Sequence, residues 1–373
     1  MPDAARGPSA EERKGYKSMD AGIHSIDCDI HPSIPGTKAL MPYLEEHWRD
    51  HLSFRGIDDV ELTYNAYRNP FSCRPDWRPP SGKPGGDPSQ VLEQALDAFG
   101  ASIGILNPLW GGPVVYADDM AFALCHAAND WIAATWLDRD PRLRASMLVP
   151  FESPELAAEE IEHRARDPRF VQVLLLAMTE APLGRRHYWP IYRAAARAGL
   201  PIAIHAGTGY RNPPTGIGWP STYVEDYAAQ TGGFQTQVLS LMTEGVLTKF
   251  PELKVVLVES GVAWLTSFLW RLNKTWRGVR IEVPWIKEAP AEILRRSLRM
   301  TIQPLNAPKG EEQVRRMLDH IGGDHMLLFS TDYPHWHFDG GDAMPPGLPA
   351  ALHRKIRLDN PLETYSRLTE TLQ

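Results

Sequence analysis

The sequence predicts an α/β protein folded as a (β/α)8 TIM barrel, and three observations support this prediction. Eight short apolar segments of strand type follow one another from residue 23 onward. Several of them are nearly continuous apolar runs, which is typical of parallel strands covered on both faces. Amphipathic segments of helical type lie between them, and a repeated strand–helix alternation is the pattern of this barrel.

The strands and helices can be placed along the chain by these patterns. The predicted strands cover residues 23–30, 101–107, 144–150, 170–176, 200–205, 253–259, 299–305 and 326–332. The clearest helical patterns cover residues 120–140, 153–167, 188–199, 263–279 and 309–323. Ser153 is the expected N-cap of the second of these helices, and Gly199 is the expected stop of the third.

The predicted domain organisation is a polar, flexible tail over residues 1–22 and a single barrel domain over residues 23–373. Two long insertions interrupt the alternation after strands 1 and 5, at 42–92 and 207–233. Loops that follow strands lie on the catalytic face of such a barrel, so both insertions are expected over the active-site mouth. The alternative for 42–92, which is rich in Pro and Gly, is a disordered loop.

Composition excludes several classes of protein. The formal net charge is -7 and no Lys/Arg-rich run is present, which argues against a nucleic-acid partner. No apolar run reaches the ~18 residues of a membrane span, and the N-terminal stretch lacks the apolar region of a secretory signal. The 3 cysteines show no CxxC spacing, which favours a reduced, cytoplasmic protein.

Ionisable residues stand at the ends of four predicted strands. Asp29 and His31 end the first strand on one face, because strand side chains repeat every two residues. The fifth strand ends at His205, the sixth at Glu259 and the eighth at Asp332. Each of these alone has a structural explanation, such as a cap or a hydrogen-bonded core histidine, and that explanation is preferred for Asp27.

Their convergence at one rim of the barrel favours a metal site. Burying several unpaired carboxylates costs several kcal/mol each, and a bound divalent cation removes that penalty. Imidazole nitrogens with carboxylate oxygens suit Zn²⁺ best, and Mn²⁺ or Fe²⁺ nearly as well. The predicted ligands of one such ion are Asp29, His31, His205 and Asp332.

Four segments resemble, in order and spacing, the amidohydrolase-related family of the amidohydrolase superfamily. They are "IDCDIHP", "YWPIYRAAARAGLPIAIHAG", "FPELKVVLVESGVAW" and "FSTDYPH", and the resemblance covers about residues 23 to 370. This branch includes aminocarboxymuconate-semialdehyde decarboxylase and the γ-resorcylate-type decarboxylases. The resemblance implies one divalent metal ion, a small-molecule substrate and a possible homodimer.

Two positions depart from the family pattern. Relatives usually carry His-x-His or Glu-x-His on the first strand, whereas here Asp29 takes the first place. Relatives frequently carry a histidine beside the metal on strand six, whereas this chain has Glu259-Ser260-Gly261. The expected catalytic residues are therefore Asp332, Glu259 and His205, with Glu259 assisting a metal-bound water.

A charge count favours hydrolysis of a small, ring-containing neutral molecule. The side chains of Asp29, Asp332 and Glu259 bring about -3 against a +2 ion, and a substrate carboxylate ~4 Å from another charge is repelled by ~4 kcal/mol at an effective dielectric of ~20. Candidate compensating arginines are Arg55, Arg68, Arg185 and Arg211, but the strand pattern places none of them at the site. Non-oxidative decarboxylation of an aromatic or unsaturated acid is the alternative, and a catalytically inactive barrel with a binding role is the second.

Aromatic and histidine side chains near the strand ends are expected to bind a flat substrate. The candidates are Trp110, Trp219, Tyr333, His335 and Trp336, with His337 as a further donor. Tryptophans that seal the rim of the barrel are an equally good explanation.

Overall fold

Eight parallel strands form the centre of this computed structural model, which describes residues 23–62, 72–208, 211–336, 338 and 340–370. The strands pair in chain order from β1 to β8. Their bounds are β1 Ile26–Ile30, β2 Ile103–Leu106, β3 Leu143–Leu148, β4 Phe170–Met178, β5 Ile202–Thr208, β6 Val255–Val258, β7 Leu298–Thr301 and β8 Leu327–Leu328. The predicted TIM barrel is confirmed, and each predicted strand overlaps an observed one.

Backbone hydrogen bonds join the end of the sheet to its beginning. Cys28 N donates to Phe329 O at 2.9 Å, and His31 N donates to Tyr333 O at 2.8 Å. These bonds continue β8 beyond its two regular residues and place the segment that contains Asp332 beside the end of β1. The barrel is thereby closed where two of the predicted metal ligands are located.

Helices surround the strands and cover their outer faces. Their bounds are α1 Glu46–Arg55, α2 Pro88–Val91, α3 Asp118–Ile132, α4 Pro154–Arg164, α5 Trp189–Arg197, α6 Tyr223–Thr243, α7 Val246–Lys249, α8 Trp264–Val279, α9 Pro290–Ser297, α10 Glu311–Ile321, α11 Asn360–Thr364 and α12 Ser366–Glu370. All nine residues of β4 are buried, as expected for a strand with the barrel interior on one face and helices on the other. A π-helical turn over Ala133–Leu137 continues α3, which accounts for the length of the pattern at 120–140.

The described parts of the first insertion pack against the barrel rather than extending as a disordered loop. Cys73 and Trp77 are buried, and Arg74 N donates to Pro334 O at 2.8 Å. Lys83 Nζ forms an ion pair with Asp59. This insertion therefore lies against the loop that follows β8, next to the barrel mouth. The predicted flexible tail at 1–22 lies outside the described residues, as does the part of this insertion at 63–71.

The second insertion contains the start of a long helix. Helix α6 begins inside the segment predicted as a loop, with Thr222 as its N-cap: the Thr222 side chain accepts a bond from Glu225 N at 3.2 Å. Gln237 Nε2 donates to Ala177 O at 2.7 Å and fixes the middle of α6 against β4. The N-terminal turn of α6 is thereby brought to the barrel mouth.

The described residues also bear on two predictions from composition. Cys28, Cys73 and Cys125 are buried and form no disulfide. In the ranges given above, every helix falls short of the length or the apolar character that a membrane crossing requires.

Candidate active site

The end of β1 carries the first two predicted ligands on the same inner face. Asp29 is fully buried and His31 nearly so. Asp29 Oδ1 lies 3.3 Å from His31 Nε2. Period-two alternation along the strand explains why both side chains point into the barrel mouth while Cys28 and Ile30 pack elsewhere in the core.

Three more strand ends bring their ionisable groups to His31. Glu259 Oε1 lies 3.3 Å from His31 Nε2, and Asp332 Oδ1 lies 3.0 Å from it. His205 Nε2 lies 3.3 Å from Glu259 Oε1 and 3.7 Å from Asp29 Oδ1. Residues far apart in the chain therefore meet at one point because the carboxyl ends of β1, β5, β6 and β8 share one rim.

The side chains at this rim form two overlapping groups, which together we call the acid–histidine centre. Within each group, the potential ligand atoms lie within 4.8 Å of one another. One group contains Asp29, His31, His205 and Glu259, and the other contains His31, Glu259, Asp332 and His335. Three predicted ligands, Asp29, His31 and His205, thus fall in one group, which Glu259 completes, while the fourth, Asp332, falls in the other group. His31 and Glu259 are common to both groups.

The two innermost histidines are oriented by backbone carbonyls. His31 Nδ1 lies 2.9 Å from Asn107 O, and His205 Nδ1 lies 2.6 Å from Ala206 O. A carbonyl oxygen only accepts hydrogen bonds, so both Nδ1 atoms carry the proton. In its neutral form each ring therefore presents an unprotonated Nε2 to the centre, which is the form that binds a metal ion.

Three buried polar atoms of the centre have no hydrogen-bond partner. They are Asp29 Oδ2, His205 Nε2 and Glu259 Oε1. Buried polar atoms are nearly always satisfied, so three orphaned atoms in one cluster indicate a missing partner. Mixed nitrogen and carboxylate oxygen donors fit a divalent cation of the Zn²⁺, Mn²⁺ or Fe²⁺ type.

The backbone is strained at two residues of the centre. Glu259 has φ 58° and Asp332 has φ 54°, both in the left-handed region that non-glycine residues rarely adopt. Such strain costs of order 1–3 kcal/mol per residue and tends to occur at functional sites. The sharp turns let each carboxylate point back over the mouth instead of continuing along the strand.

The acids of the centre raise the pKa values of two of its histidines. Burial acts to lower the pKa of His205, but the Glu259 and Asp29 carboxylates outweigh it and raise the pKa to about 10. Burial likewise acts on His335, yet Asp332 and Glu259 raise its pKa to about 9. A cation must displace these protons in order to bind, so its affinity should decrease as the pH is lowered.

Asp27 lies outside the centre, as its structural interpretation predicts. Its carboxylate accepts hydrogen bonds from Thr331 N at 3.0 Å, Thr331 Oγ1 at 2.6 Å and Asp29 N at 3.1 Å. Burial raises its pKa to about 7, although the bonds from Thr331 oppose the rise. Asp27 thus ties the segment before Asp332 to β1.

The predicted substrate-binding residues differ in where their side chains lie. His335 is part of the centre, with Nδ1 2.5 Å from Asp332 Oδ1 and 3.2 Å from Glu259 Oε1. Trp219 and Trp336 are 55% and 41% exposed, respectively. Trp110 and Tyr333 are buried and bonded elsewhere: Trp110 Nε1 donates to Asp59 and Tyr333 Oη donates to Gln94. His337 lies outside the described residues.

The arginines proposed to compensate a substrate carboxylate contact other acids where they are described. Arg211 bonds Glu180, and Arg185 Nη1 lies 3.8 Å from Glu244 Oε1. Arg55 is exposed in the last turn of α1, and Arg68 lies outside the described residues. Within the centre, His335 lies 2.5 Å from Asp332 and 3.2 Å from Glu259 and can carry a compensating proton, which the charge count from the sequence left out.

Helix α6 contributes a tyrosine that the sequence analysis missed. Tyr227 Oη donates to Glu259 Oε2 at 3.3 Å. The ring of Tyr223, one helical turn earlier, lies 5.6 Å from that of Tyr227 at an interplanar angle of 29°. Tyr223 also forms a hydrogen bond with Trp336. The i, i+4 spacing of the tyrosines was a usable signal only once residues 223–243 were known to be helical.

Replacing Tyr227 with phenylalanine tests its bond to Glu259. Hydrogen bonds to charged groups contribute about 1.5–3 kcal/mol. If about half of this free energy stabilises the transition state, losing the bond slows turnover about tenfold. The expected result is a lower kcat with metal content unchanged, measured by steady-state kinetics and elemental analysis. Tyr223→Phe is the matched control, and equal effects of the two variants would contradict a specific role for the Tyr227 hydroxyl.

Comparisons with known proteins agree with the geometry of the centre. A family profile described as amidohydrolase matches residues 26–367. The chain belongs to the amidohydrolase family. The γ-resorcylate decarboxylase of Polaromonas sp. is 26% identical over 234 residues, which span 57% of this chain and 66% of that relative. The resemblance noted in the sequence, to the decarboxylase-containing branch of the amidohydrolase superfamily, is confirmed.

Solved structures of the family share the barrel. The 5-carboxyvanillate decarboxylase of Sphingomonas paucimobilis superposes with a TM-score of 0.66 at 18% identity, over 92% of this chain and 99% of that chain. The dihydroxybenzoic acid decarboxylase of Polaromonas sp., solved with bound manganese and the inhibitor 2-nitroresorcinol, gives a TM-score of 0.63 at 19% identity, over 92% and 97% of the two chains. At these identities the likeness shows the fold of this family member.

The comparisons overturn the preference for hydrolysis. The sequence relatives are γ-resorcylate decarboxylases, so the main interpretation of the sequence was wrong and its alternative is the better one. The physical reason is an incomplete charge count. It treated the centre as three carboxylates facing one cation, whereas His335 lies within 3.2 Å of Glu259 and can hold a compensating proton.

Proposed function

We propose that this amidohydrolase-family chain catalyses the metal-dependent, non-oxidative decarboxylation of a hydroxylated aromatic acid. The observation that carries the proposal is its match to γ-resorcylate decarboxylases, at 26% and 25% identity over 57% and 65% of the chain. The acid–histidine centre supports it, because its orphaned buried atoms call for a cation at the place where a barrel enzyme performs its chemistry.

Asp29, His31, His205 and Asp332 would hold the ion. When bound, a divalent cation supplies positive charge that attracts the carboxylate and phenolate oxygens of a substrate and lowers the repulsion from the acids. The manganese named for a structural neighbour makes Mn²⁺ the first ion to test. Zn²⁺, the choice from the sequence, is the second, since its usual nitrogen and oxygen donors are present.

The side chains of the chain itself must manage one proton. Decarboxylation breaks the bond between the ring carbon and the carboxylate, releases CO₂ and requires a proton on that carbon. Glu259 Oε1 and His335 Nδ1, 3.2 Å apart at the mouth, can hold this proton between them. His335 is half-buried and can be recharged from solvent. A carboxylate–imidazole pair would thus take the place of the strand-six histidine of relatives.

Aromatic side chains at the mouth suit a flat, ring-shaped substrate. Tyr223 and Trp336 are hydrogen-bonded to each other, and Tyr227 reaches from the same helix to Glu259. Trp219 is exposed on the same loop as the start of α6. Stacking on such rings contributes about 0.5–1.5 kcal/mol per pair beyond the area buried, so they would select an aromatic ring over an aliphatic acid.

The proposal is tested by product analysis. Chelator-treated protein is reloaded with Mn²⁺ or Zn²⁺ and incubated with a panel of ortho-hydroxylated benzoates, including 2,6-dihydroxybenzoate and 5-carboxyvanillate, and with benzoate as the unhydroxylated control. The expected result is CO₂ with an equal amount of the corresponding phenol, dependent on the metal. Fully loaded protein that releases no CO₂ from any hydroxylated aromatic acid would contradict the proposal.

A further inference from the structure

We propose that Asn107, at the end of β2, is a positioning residue that fixes both β1 ligands of the centre. The inference rests on the metal centre of the proposed function but not on the reaction. Asn107 directly follows the last residue of β2 and is fully buried. It contacts Asp29 through its side chain and His31 through its backbone, so a single residue sets two donors.

The backbone contact decides which nitrogen of His31 faces the centre. His31 Nδ1 donates to Asn107 O at 2.9 Å, which leaves Nε2 directed at the acids. The chain around this carbonyl is itself held, because Asn107 N donates to Ile30 O at 2.7 Å. The position of His31 therefore depends on the backbone at Asn107, which a change of side chain preserves.

The side-chain contact decides how Asp29 is held. Asn107 Nδ2 donates to Asp29 Oδ1 at 2.8 Å and to Cys28 O at 3.1 Å. The carboxylate of Asp29 is thereby fixed at one oxygen, while Oδ2 has no partner. A ligand held by an outer hydrogen bond loses less freedom on binding a cation, which is why such partners strengthen metal sites.

The amide of Asn107 cannot turn over without losing its contacts. Its Oδ1 accepts hydrogen bonds from Gln172 Nε2 at 3.0 Å and from Ser146 Oγ. Gln172 Nε2 also donates to Ser146 Oγ at 2.8 Å. Both amide donors and both acceptor positions are therefore occupied, and a flipped amide would place its NH₂ group against two donors. Hydrogen bonds thus connect Gln172 on β4 and Ser146 on β3 to Asn107. Asn107 in turn holds Asp29, so two buried strands fix the position of this carboxylate.

The test compares the Mn²⁺ affinity of four chelator-treated proteins by calorimetry: wild type, Asn107→Leu, Asn107→Ser and Asn129→Leu. Leucine keeps the backbone carbonyl at residue 107 and removes the amide. Loss of an outer hydrogen-bond partner typically weakens metal binding about 10- to 100-fold, and we expect this for both Asn107 variants. If the leucine variant does not fold, Asn107→Ser provides the same measurement without the amide.

Asn129→Leu is the matched control, because Asn129 is an equally buried amide that bonds Leu148 and Glu160 outside the centre. It should lower thermal stability and leave Mn²⁺ affinity unchanged. Equal affinity of the Asn107 variants and wild type would overturn the inference, as would an equal loss in Asn129→Leu. Wild-type protein that binds no divalent cation would instead overturn the proposed metal centre.

A double-mutant cycle with Asp29→Asn tests the route of the effect. If Asn107 acts through Asp29, Asn107→Leu should weaken Mn²⁺ binding only slightly in a protein that already carries Asp29→Asn. The effects of the two substitutions on affinity are then not additive. Full additivity would contradict an action through Asp29.

Discussion

His205→Ala is expected to abolish both retention of the proposed divalent cation and the proposed decarboxylation. His205 is fully buried, its Nδ1 is fixed by Ala206 O, and its Nε2 has no partner although it faces two carboxylates. In the group of described residues that contains Asp29 and Glu259, the histidines are His31 and His205. Removing the imidazole therefore removes one of two inner nitrogen donors. Metal content by elemental analysis and CO₂ release by the same preparation measure the result.

A control separates this effect from misfolding. His205→Gln keeps much of the volume of the side chain and should also lose the metal ion. His325→Ala removes a histidine that bonds Arg295 O outside the centre, and it should keep both metal and activity. Retention of the full metal content and activity by His205→Ala would end the assignment of His205 as a ligand.

Glu259→Gln is expected to lower turnover about 100-fold or more with the metal still bound, since a positioned acid or base contributes about 10²–10⁴ in rate. Burial acts to raise the pKa of Glu259, but His205 and His335 outweigh it and hold the pKa well below its usual range. The carboxylate thus stays ionised and favours the protonated form of His335, whose Nδ1 lies 3.2 Å from Glu259 Oε1. Glutamine has nearly the same shape and lacks the charge that holds this proton.

Steady-state kinetics with parallel metal analysis distinguish the possible outcomes. Glu160→Gln provides the comparison, because Glu160 is a buried acid on α4 that bonds His126 and Asn129 away from the mouth. It should retain normal turnover. An unchanged kcat in Glu259→Gln would remove Glu259 from the mechanism, and loss of the metal in this variant would make it a ligand instead.

Strand ends were the part of the site that the sequence could predict. Apolar runs identified all eight strands, and an ionisable residue at the end of a run is visible without a structure, which is how Asp29, His205 and Asp332 were selected. Barrel geometry then implies that such residues meet. Asn107 ends the second predicted strand in the same way, but its amide is not ionisable, so a pattern of ionisable strand ends does not include it.

Contacts made by loops and by the starts of helices could not be predicted. Trp110 and Tyr333 follow strands just as catalytic residues do, yet their polar atoms bond Asp59 and Gln94. Periodicity does not give the direction of a side chain in a loop. Tyr227 was missed because α6 begins inside the segment predicted as an insertion. The signal for its start is the single N-cap residue Thr222, which is too local to show that a helix follows.

Counting charges in the sequence could not predict the reaction class. The outcome depends on which groups carry protons, and this depends on distances such as the 3.2 Å between His335 Nδ1 and Glu259 Oε1. His335 was noted in the sequence as a substrate-binding candidate, but nothing in the spacing placed it against two carboxylates. A neutral histidine and a protonated one differ by a full charge, and the charge count from the sequence did not include this difference.

The most direct measurement is an anomalous difference map from crystals of the protein grown with Mn²⁺ and recorded at a wavelength where manganese scatters anomalously. We predict one strong peak per chain at the barrel mouth, with atoms of Asp29, His31, His205 and Asp332 as its nearest protein neighbours. A map without a peak there, or with manganese bound at other residues, would contradict the metal centre on which the proposed decarboxylation depends.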